Sequence, residues 1–238
     1  MSALFLTRRH ILGSVGAATA ALGLARANAA AVPKEDEEEE VEVGAVEDLL
    51  REHGVLRRAL IVYSEVAALL RSGSAFDTSA LNRAAKLFQS FGEDYHERKL
   101  EEAYIFPAVK KAGGPAASLP DILLAQHNRG REITAYILQA SQKAKPTNID
   151  AGTLAPTLDG FVRMYRSHAA REDTVVFPAW KATLSPEQLE DLGEEFEDIE
   201  HKQFGSDGFD DAVKEISAIE QALGLSDLAQ FTAPPLHA

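Results

Sequence analysis

His168 and Glu172 stand four residues apart, a spacing that can do metal chemistry. On a helix it places an imidazole nitrogen and a carboxylate oxygen one turn apart on one face, where both can reach a single ion. The pair lies in Ser167-His168-Ala169-Ala170-Arg171-Glu172-Asp173, and the Val175-Val176-Phe177-Pro178 that follows carries it into apolar surroundings. Taken alone, such a pair also arises by chance on a charged surface helix.

A second copy changes its meaning. His96-Glu97-Arg98-Lys99-Leu100-Glu101 runs on to Ile105-Phe106-Pro107, and Glu101 precedes Phe106 by five residues just as Glu172 precedes Phe177. Each copy has a histidine upstream, His53 in Glu52-His53-Gly54 and His127 in Gln126-His127-Asn128. From His53 to Phe106 is 53 residues and from His127 to Phe177 is 50. Helix, His, helix, His, Glu, Phe-Pro, given twice, is the pattern of a duplicated helical hairpin. Four histidines and two glutamates recurring in register point to metal binding rather than to solvated surface.

Composition narrows the chemistry further. The chain has no cysteine, which excludes disulfides, thiolate zinc sites, iron–sulfur clusters and a cysteine nucleophile. A metal site must then be built from imidazole and carboxylate, which suits iron, manganese or zinc. The net charge of −13 and the lack of a basic patch argue against a nucleic-acid partner. Neither a nucleophile–base–oxyanion arrangement nor a glycine-rich phosphate loop is present, so hydrolase and nucleotide chemistry are set aside.

Over residues 45 to 182 the paired motifs resemble the hemerythrin-like, HHE cation-binding family. The resemblance implies a four-helix bundle holding a non-haem di-iron centre, with manganese or zinc the less favoured metals. It implies His53, His96, His127 and His168 as terminal imidazole ligands and Glu101 and Glu172 as bridging carboxylates. Dioxygen, peroxide or nitric oxide would occupy the open coordination positions. Oxygen carriers of this family have a further histidine one turn after that of the third helix. Here Arg131 stands at that position beside Glu132, which favours turnover or oxidation over simple oxygen transport.

The first motif is irregular. Aligned on Glu101 and Phe106-Pro107, the position matching His168 is Glu97, and His96 comes one residue early. Five residues span about 140° around a regular helix, so His96 and Glu101 would not share a face. Either a π-bulge restores their convergence and leaves Glu97 a surface residue, or Glu97 replaces the histidine as ligand.

Four helices must position these groups. The first is expected over about Val46 to Leu70, with Leu49, Leu50, His53, Leu56, Leu60 and Val66 near one face. Asp77 or Thr78 can cap the second, which carries Leu81, Ala84, Phe88, Phe91 and Tyr95 before the first motif and ends at Ala112-Gly113-Gly114-Pro115. The third starts after Pro120-Asp121 and carries Ile122, Leu123, His127, Ile133, Tyr136 and Ile137. Lys145-Pro146-Thr147-Asn148 breaks the chain before the fourth, which holds Leu154, Leu158, Phe161, Tyr165, His168 and Glu172. The expected fold is all-α, an up-down-up-down four-helix bundle with two additional C-terminal helices in a 183–238 extension. Ser185-Pro186 would start the first of these helices, and Asp210 to Leu223 would form the second. His201, flanked by charge, is not expected at the metal.

The N-terminal segment has a different character. Arg8-Arg9 precede an apolar, small-residue run from Ile11 to Ala25 that is shorter than the ~20 residues a membrane span needs. Ala27-Asn28-Ala29 offers a small-x-small cleavage pattern, so residues 1 to 29 are expected to be a twin-arginine signal that directs export, for example to a periplasm. No stable membrane span would remain after its removal. The acidic run Glu35-Asp36-Glu37-Glu38-Glu39-Glu40 makes residues 30 to 44 a self-repelling tether. The function so implied is an exported di-iron protein that binds or reduces dioxygen, peroxide or nitric oxide. The alternatives are a non-catalytic metal-binding or sensing module that signals to a protein partner, and a structural bundle with core histidines.

Overall fold

Gly44 and Gly73 bracket the first helix, α1, Ala45–Ser72, with acidic Glu47 and Asp48 in its first turn and Arg71 in its last, each favourable to the helix dipole. Gly73 ends it in the left-handed conformation at φ 67°, which glycine adopts without a Cβ clash. The computed structural model describes residues 43–142, 150–205 and 207–236, and among them there is no strand. The export signal expected over 1–29, most of the tether over 30–44 and the break at Lys145–Asn148 lie outside the described residues.

The second helical run is continuous but changes register twice. It comprises α2, Thr78–Leu87, a π-helical segment π1, Phe88–Ile105, and α3, Phe106–Ala112. Asp77 caps its start by accepting the Ser79 N–H at 2.8 Å. Gly113 and Gly114, both at positive φ, turn the chain away at its end. Next come α4, Pro120–Ser141, and a fourth run of α5, Ala151–Arg171, π2, Glu172–Val176, and α6, Phe177–Lys181. Two further helices follow, α7, Pro186–Phe204, and α8, Gly208–Ala222. Ser185 and Gln188 close α7 with a reciprocal capping box.

The apolar faces meet in one core. Leu49, Leu56, Leu60 and Val66 of α1 join Leu81, Phe88, Phe91 and Tyr95, then Leu123 and Ile137, then Leu154, Leu158, Phe161 and Tyr165. Leu50 and Ile122, expected inside, are exposed. Each sits next to a buried leucine, Leu49 or Leu123, and neighbours on a helix are turned too far apart for both to face one core. The last helices add a layer: α8 packs on α1 and α2, and α7 on α1 and π1. Arg58 joins α1 to Glu220 and Ser217, Arg83 joins α2 to Glu215, and Trp180 stacks on Phe196 with ring centres 5.8 Å apart. Among the described residues no helix is long and apolar enough to cross a membrane.

Both π segments end immediately before a Phe-Pro pair, and this has a physical cause. A proline ring in a regular helix clashes with the carbonyl four residues earlier and donates no hydrogen bond. Here the preceding N–H bonds five residues back, Phe106 to the Glu101 carbonyl and Phe177 to the Glu172 carbonyl. The wider turn makes room for Pro107 and Pro178. It also fixes the backbone of the two glutamates that matter most.

Candidate metal centre

His53 of α1, His96 and Glu101 of π1, His127 of α4, and the pair His168 and Glu172 at the α5–π2 junction point into one buried cluster. Each is 3% exposed or less. Ligand atoms of Glu101, His127, His168 and Glu172 lie within 4.8 Å of one another, as do those of His53, His96 and Glu101.

The cluster has two halves that share its carboxylates. Glu101 turns Oε1 to His96 Nε2 and Oε2 to His127 Nε2, each at 3.3 Å. Glu172 turns Oε1 to His168 Nε2 at 2.9 Å and Oε2 to His53 Nε2 at 3.6 Å. The imidazoles pair off as well, His53 with His96 and His127 with His168, each with Nε2 atoms 3.0 Å apart. Each half therefore holds two ring nitrogens and one oxygen from each glutamate. The half of His53 and His96 is the looser one: its compact set is His53, His96 and Glu101, with Glu172 Oε2 standing 3.6 Å from His53.

The opposite nitrogen of every ring is also held. Nδ1 of His53 donates to Asp173 and Nδ1 of His96 to Glu52, both at 2.6 Å. Nδ1 of His127 donates to Glu102 and Nδ1 of His168 to Gln126, both at 2.9 Å. Donation from Nδ1 selects the tautomer whose Nε2 lone pair faces the cluster. Phe177 lies against the His53 ring and Phe106 stacks on His127, so the Phe-Pro endings also orient the rings. None of the four outer partners was singled out from sequence. Their signal was present in the repeat, since Glu52 and Gln126 precede equivalent histidines and Glu102 and Asp173 follow equivalent glutamates.

The irregular first motif resolves into π geometry. In a π-helix, hydrogen bonds run from i to i+5, so residues five apart lie nearer to one face than in a regular helix. That brings His96 over Glu101, and Glu97 over Glu102. The segment is far longer than a single bulge, 18 residues in all. Glu97 is not the surface residue expected beside such a bulge; it is 2% exposed. Its carboxylate accepts the Tyr165 hydroxyl at 2.8 Å and Arg131 Nη2 at 3.0 Å. Arg131 also donates to Glu102, so its guanidinium fills the space between the two carboxylates. Gly130 gives Tyr165 room, since a Cβ there would come within 2.8 Å of the phenol Cζ and collide with its hydroxyl. His201 lies exposed on α7 and is not among the grouped ligand residues.

Charge in the cluster is tightly balanced. Burial opposes protonation of His96, but the Glu101 and Glu52 carboxylates outweigh it and raise its pKa well above the ordinary 6.5. Burial likewise opposes charge on His127, yet Glu97, Glu101 and Glu102 push it up to about 10. Burial would raise Glu101, and His96 and His127 instead hold it well below 4.5. Without a bound cation, these shifts favour a proton on His96 and one on His127, one ring of each Nε2 pair.

A model of the hemerythrin HHE cation-binding domain matches residues 44–180. The chain belongs to the hemerythrin HHE cation-binding family. Relatives in Mycobacterium bovis (Mb2018) and in two strains of Mycobacterium tuberculosis (MT2051 and Rv1995) are 40% identical over 232 residues, covering 94% of this chain and 90% of theirs. All three bear the name uncharacterized protein. No solved structure matches.

The side chains fit the cation that a hemerythrin HHE domain takes. Both oxygens of Glu101 and both of Glu172 are buried without a hydrogen-bond partner, and the nearby ring nitrogens approach them without hydrogen-bond alignment. Buried carboxylate oxygens left so are costly unless something positive completes them. Hard oxygens and imidazole nitrogens, with no sulfur ligand in reach, are a donor set for iron, manganese or zinc.

Proposed function

We propose that residues 44–180 hold two non-haem iron ions and that the centre binds or reduces dioxygen, peroxide or nitric oxide. The observation that carries this reading is the division of the cluster into two halves, each with two Nε2 atoms and one oxygen from each glutamate. His53 and His96 would serve one ion and His127 and His168 the other, with Glu101 and Glu172 bridging. Four protein donors per ion would leave positions open to a small exogenous ligand. Iron would supply reversible one-electron chemistry at those positions.

The chain's own residues do the remainder. Asp173, Glu52, Glu102 and Gln126 hold the rings in register through Nδ1. Arg131 does not supply a fifth imidazole but neutralises Glu97 and Glu102. A cavity of about 20 Å³, room for roughly one water-sized molecule, lies between the histidines and Tyr165. The four helical runs, joined by short connections, support an up-down-up-down bundle around it.

Metal analysis with an optical spectrum of the purified chain tests the reading, together with peroxide consumption linked to iron redox change. Two irons per chain with peroxide turnover support it. One zinc per chain, or no metal after anaerobic iron loading, overturns it. Iron bound without consumption of any oxidant would favour a sensing module. We further infer that residues 1–29 direct export by the twin-arginine route, which carries folded, cofactor-loaded proteins. Normal export of a chain with Arg8 and Arg9 both changed to lysine would argue for the general secretory route.

A further inference from the structure

The cavity beside the histidines is lined almost wholly by buried residues. Of its eleven lining residues, ten are buried and only Arg57 is exposed. Arg57 stands one helical turn after His53, so the two share a face of α1. The Arg57 side chain is 43% exposed and yet reaches the cavity lining. It is held there by Asp173, whose other oxygen accepts His53 Nδ1 at 2.6 Å. Of the residues that line the cavity, Arg57 is thus the one that also meets solvent.

Size and charge at that point define what enters. A cavity of about 20 Å³, room for roughly one water-sized molecule, admits only a small species. The chain carries a net charge of −13, a field that repels anions from most of its surface. At the mouth the more exposed partner is the cation, since Asp173 is only 17% exposed and shares its charge with His53 as well. A fixed positive charge beside a narrow, low-dielectric opening concentrates anions locally and raises their entry rate.

We propose that Arg57 forms the mouth of the metal cavity and selects small anionic ligands for the centre. This rests on the di-iron reading given above. Arg57 is a specificity-determining residue: it governs entry and touches no metal ligand atom. A neutral diatomic passes the same opening without sensing its charge.

The chain has no cysteine, so Arg57→Cys creates a unique thiol whose charge can be set chemically. The iron-loaded Arg57→Cys protein is capped with a methanethiosulfonate bearing a trimethylammonium, a neutral methyl or a sulfonate group. Binding of azide, a triatomic anion, to the ferric protein is then followed by stopped-flow absorption, with iron content and melting temperature measured on each adduct. The cationic adduct is expected to bind azide at least about 10-fold faster than the sulfonate adduct at low ionic strength, with the neutral adduct between. The difference should collapse at high salt, and the rate for nitric oxide should be the same in all three. Equal azide rates in the three adducts at unchanged iron content would overturn the proposal and leave the di-iron reading standing. Arg57→Lys against Arg57→Gln gives the same comparison without thiol chemistry. Loss of iron from every one of these variants would make Arg57 a support of His53 and end its role in entry. A wild-type chain that binds no metal at all would remove the di-iron reading and this proposal together.

Discussion

His96 Nε2 lies 3.3 Å from Glu101 Oε1, five residues ahead of it on the same helix. A regular helix would hold those side chains about 140° apart, so the contact depends on the π register of Phe88–Ile105. His96→Ala should therefore lower metal occupancy, while Glu97→Ala should keep it. The Glu97 change is not harmless, because it strips a buried partner from Tyr165 and Arg131. A loss of about 1–3 kcal/mol is expected from that alone. Iron stoichiometry and thermal melts of both variants check this, and iron lost from Glu97→Ala but retained by His96→Ala would refute it.

The outer partners carry a second prediction. Glu52 holds His96 and Asp173 holds His53, each at 2.6 Å. Glu52→Gln and Asp173→Asn keep the shape but weaken the acceptor that fixes ring orientation and raises imidazole basicity. Metal affinity should fall about 10- to 100-fold in each case. Competition with a chromophoric chelator measures it. Unchanged affinity in both variants would mean that the rings are held by packing against Phe177 and their other neighbours alone.

What the chain announced in advance, and what it hid, follows from which interactions are local. The two copies of His, His, Glu and Phe-Pro in register pointed to His53, His96, Glu101, His127, His168 and Glu172, and the fold brings these six into one buried cluster. A repeat encodes tertiary pairing, so the convergence was legible. The helix boundaries were legible too, because Asp77, Ser185, Pro186 and the glycines that end helices act within one turn. The extent of the π segment was not. The His96–Glu101 offset marks a mismatch at one place, whereas continuing i to i+5 bonding depends on what packs around it. Glu97 was hidden for the same reason. Its burial depends on Arg131 and Tyr165, which come from two other helices.

Gly130 supports a third prediction. Tyr165 is seated against it so closely that a Cβ would collide with the phenol. Gly130→Ala should push Tyr165 off Glu97 and destabilise the fold by about 1–3 kcal/mol, as overpacking does. Tyr165→Phe in the same background should relieve only part of this, because ring carbons as well as the hydroxyl crowd the site. Denaturant melts of the single and double variants decide it. A Gly130→Ala chain as stable as wild type would show that Tyr165 can move freely, contrary to its buried setting among Phe88, Phe161 and His168.

Proton competition yields the last prediction. In the unfolded chain His127 titrates at its ordinary 6.5, and in the folded chain without a cation at about 10. His96 is raised in the same direction by Glu101 and Glu52. Between those limits the folded state binds more protons than the unfolded one, so unfolding free energy falls as pH rises. The stabilisation from both groups is complete below about pH 6.5; that from His127 is lost progressively toward pH 10, and that from His96 as pH rises through its own raised value. Glu101, held below 4.5, adds the opposite limb: its contribution is present above about pH 4.5 and is lost as pH falls through its lowered value. Chelator-treated protein should therefore melt highest in mildly acid solution and progressively lower through the alkaline range. Metal ions bound at the cluster would replace the protons on His96 and His127, so loading near neutral pH should release about two protons per chain. It should also flatten the alkaline decline. Calorimetric titration in buffers of different ionisation enthalpy counts the protons, and melts from pH 5 to 10 trace the decline. A metal-free chain whose stability rises between pH 6.5 and 10, or metal uptake without proton release, would contradict the charge balance drawn for the cluster.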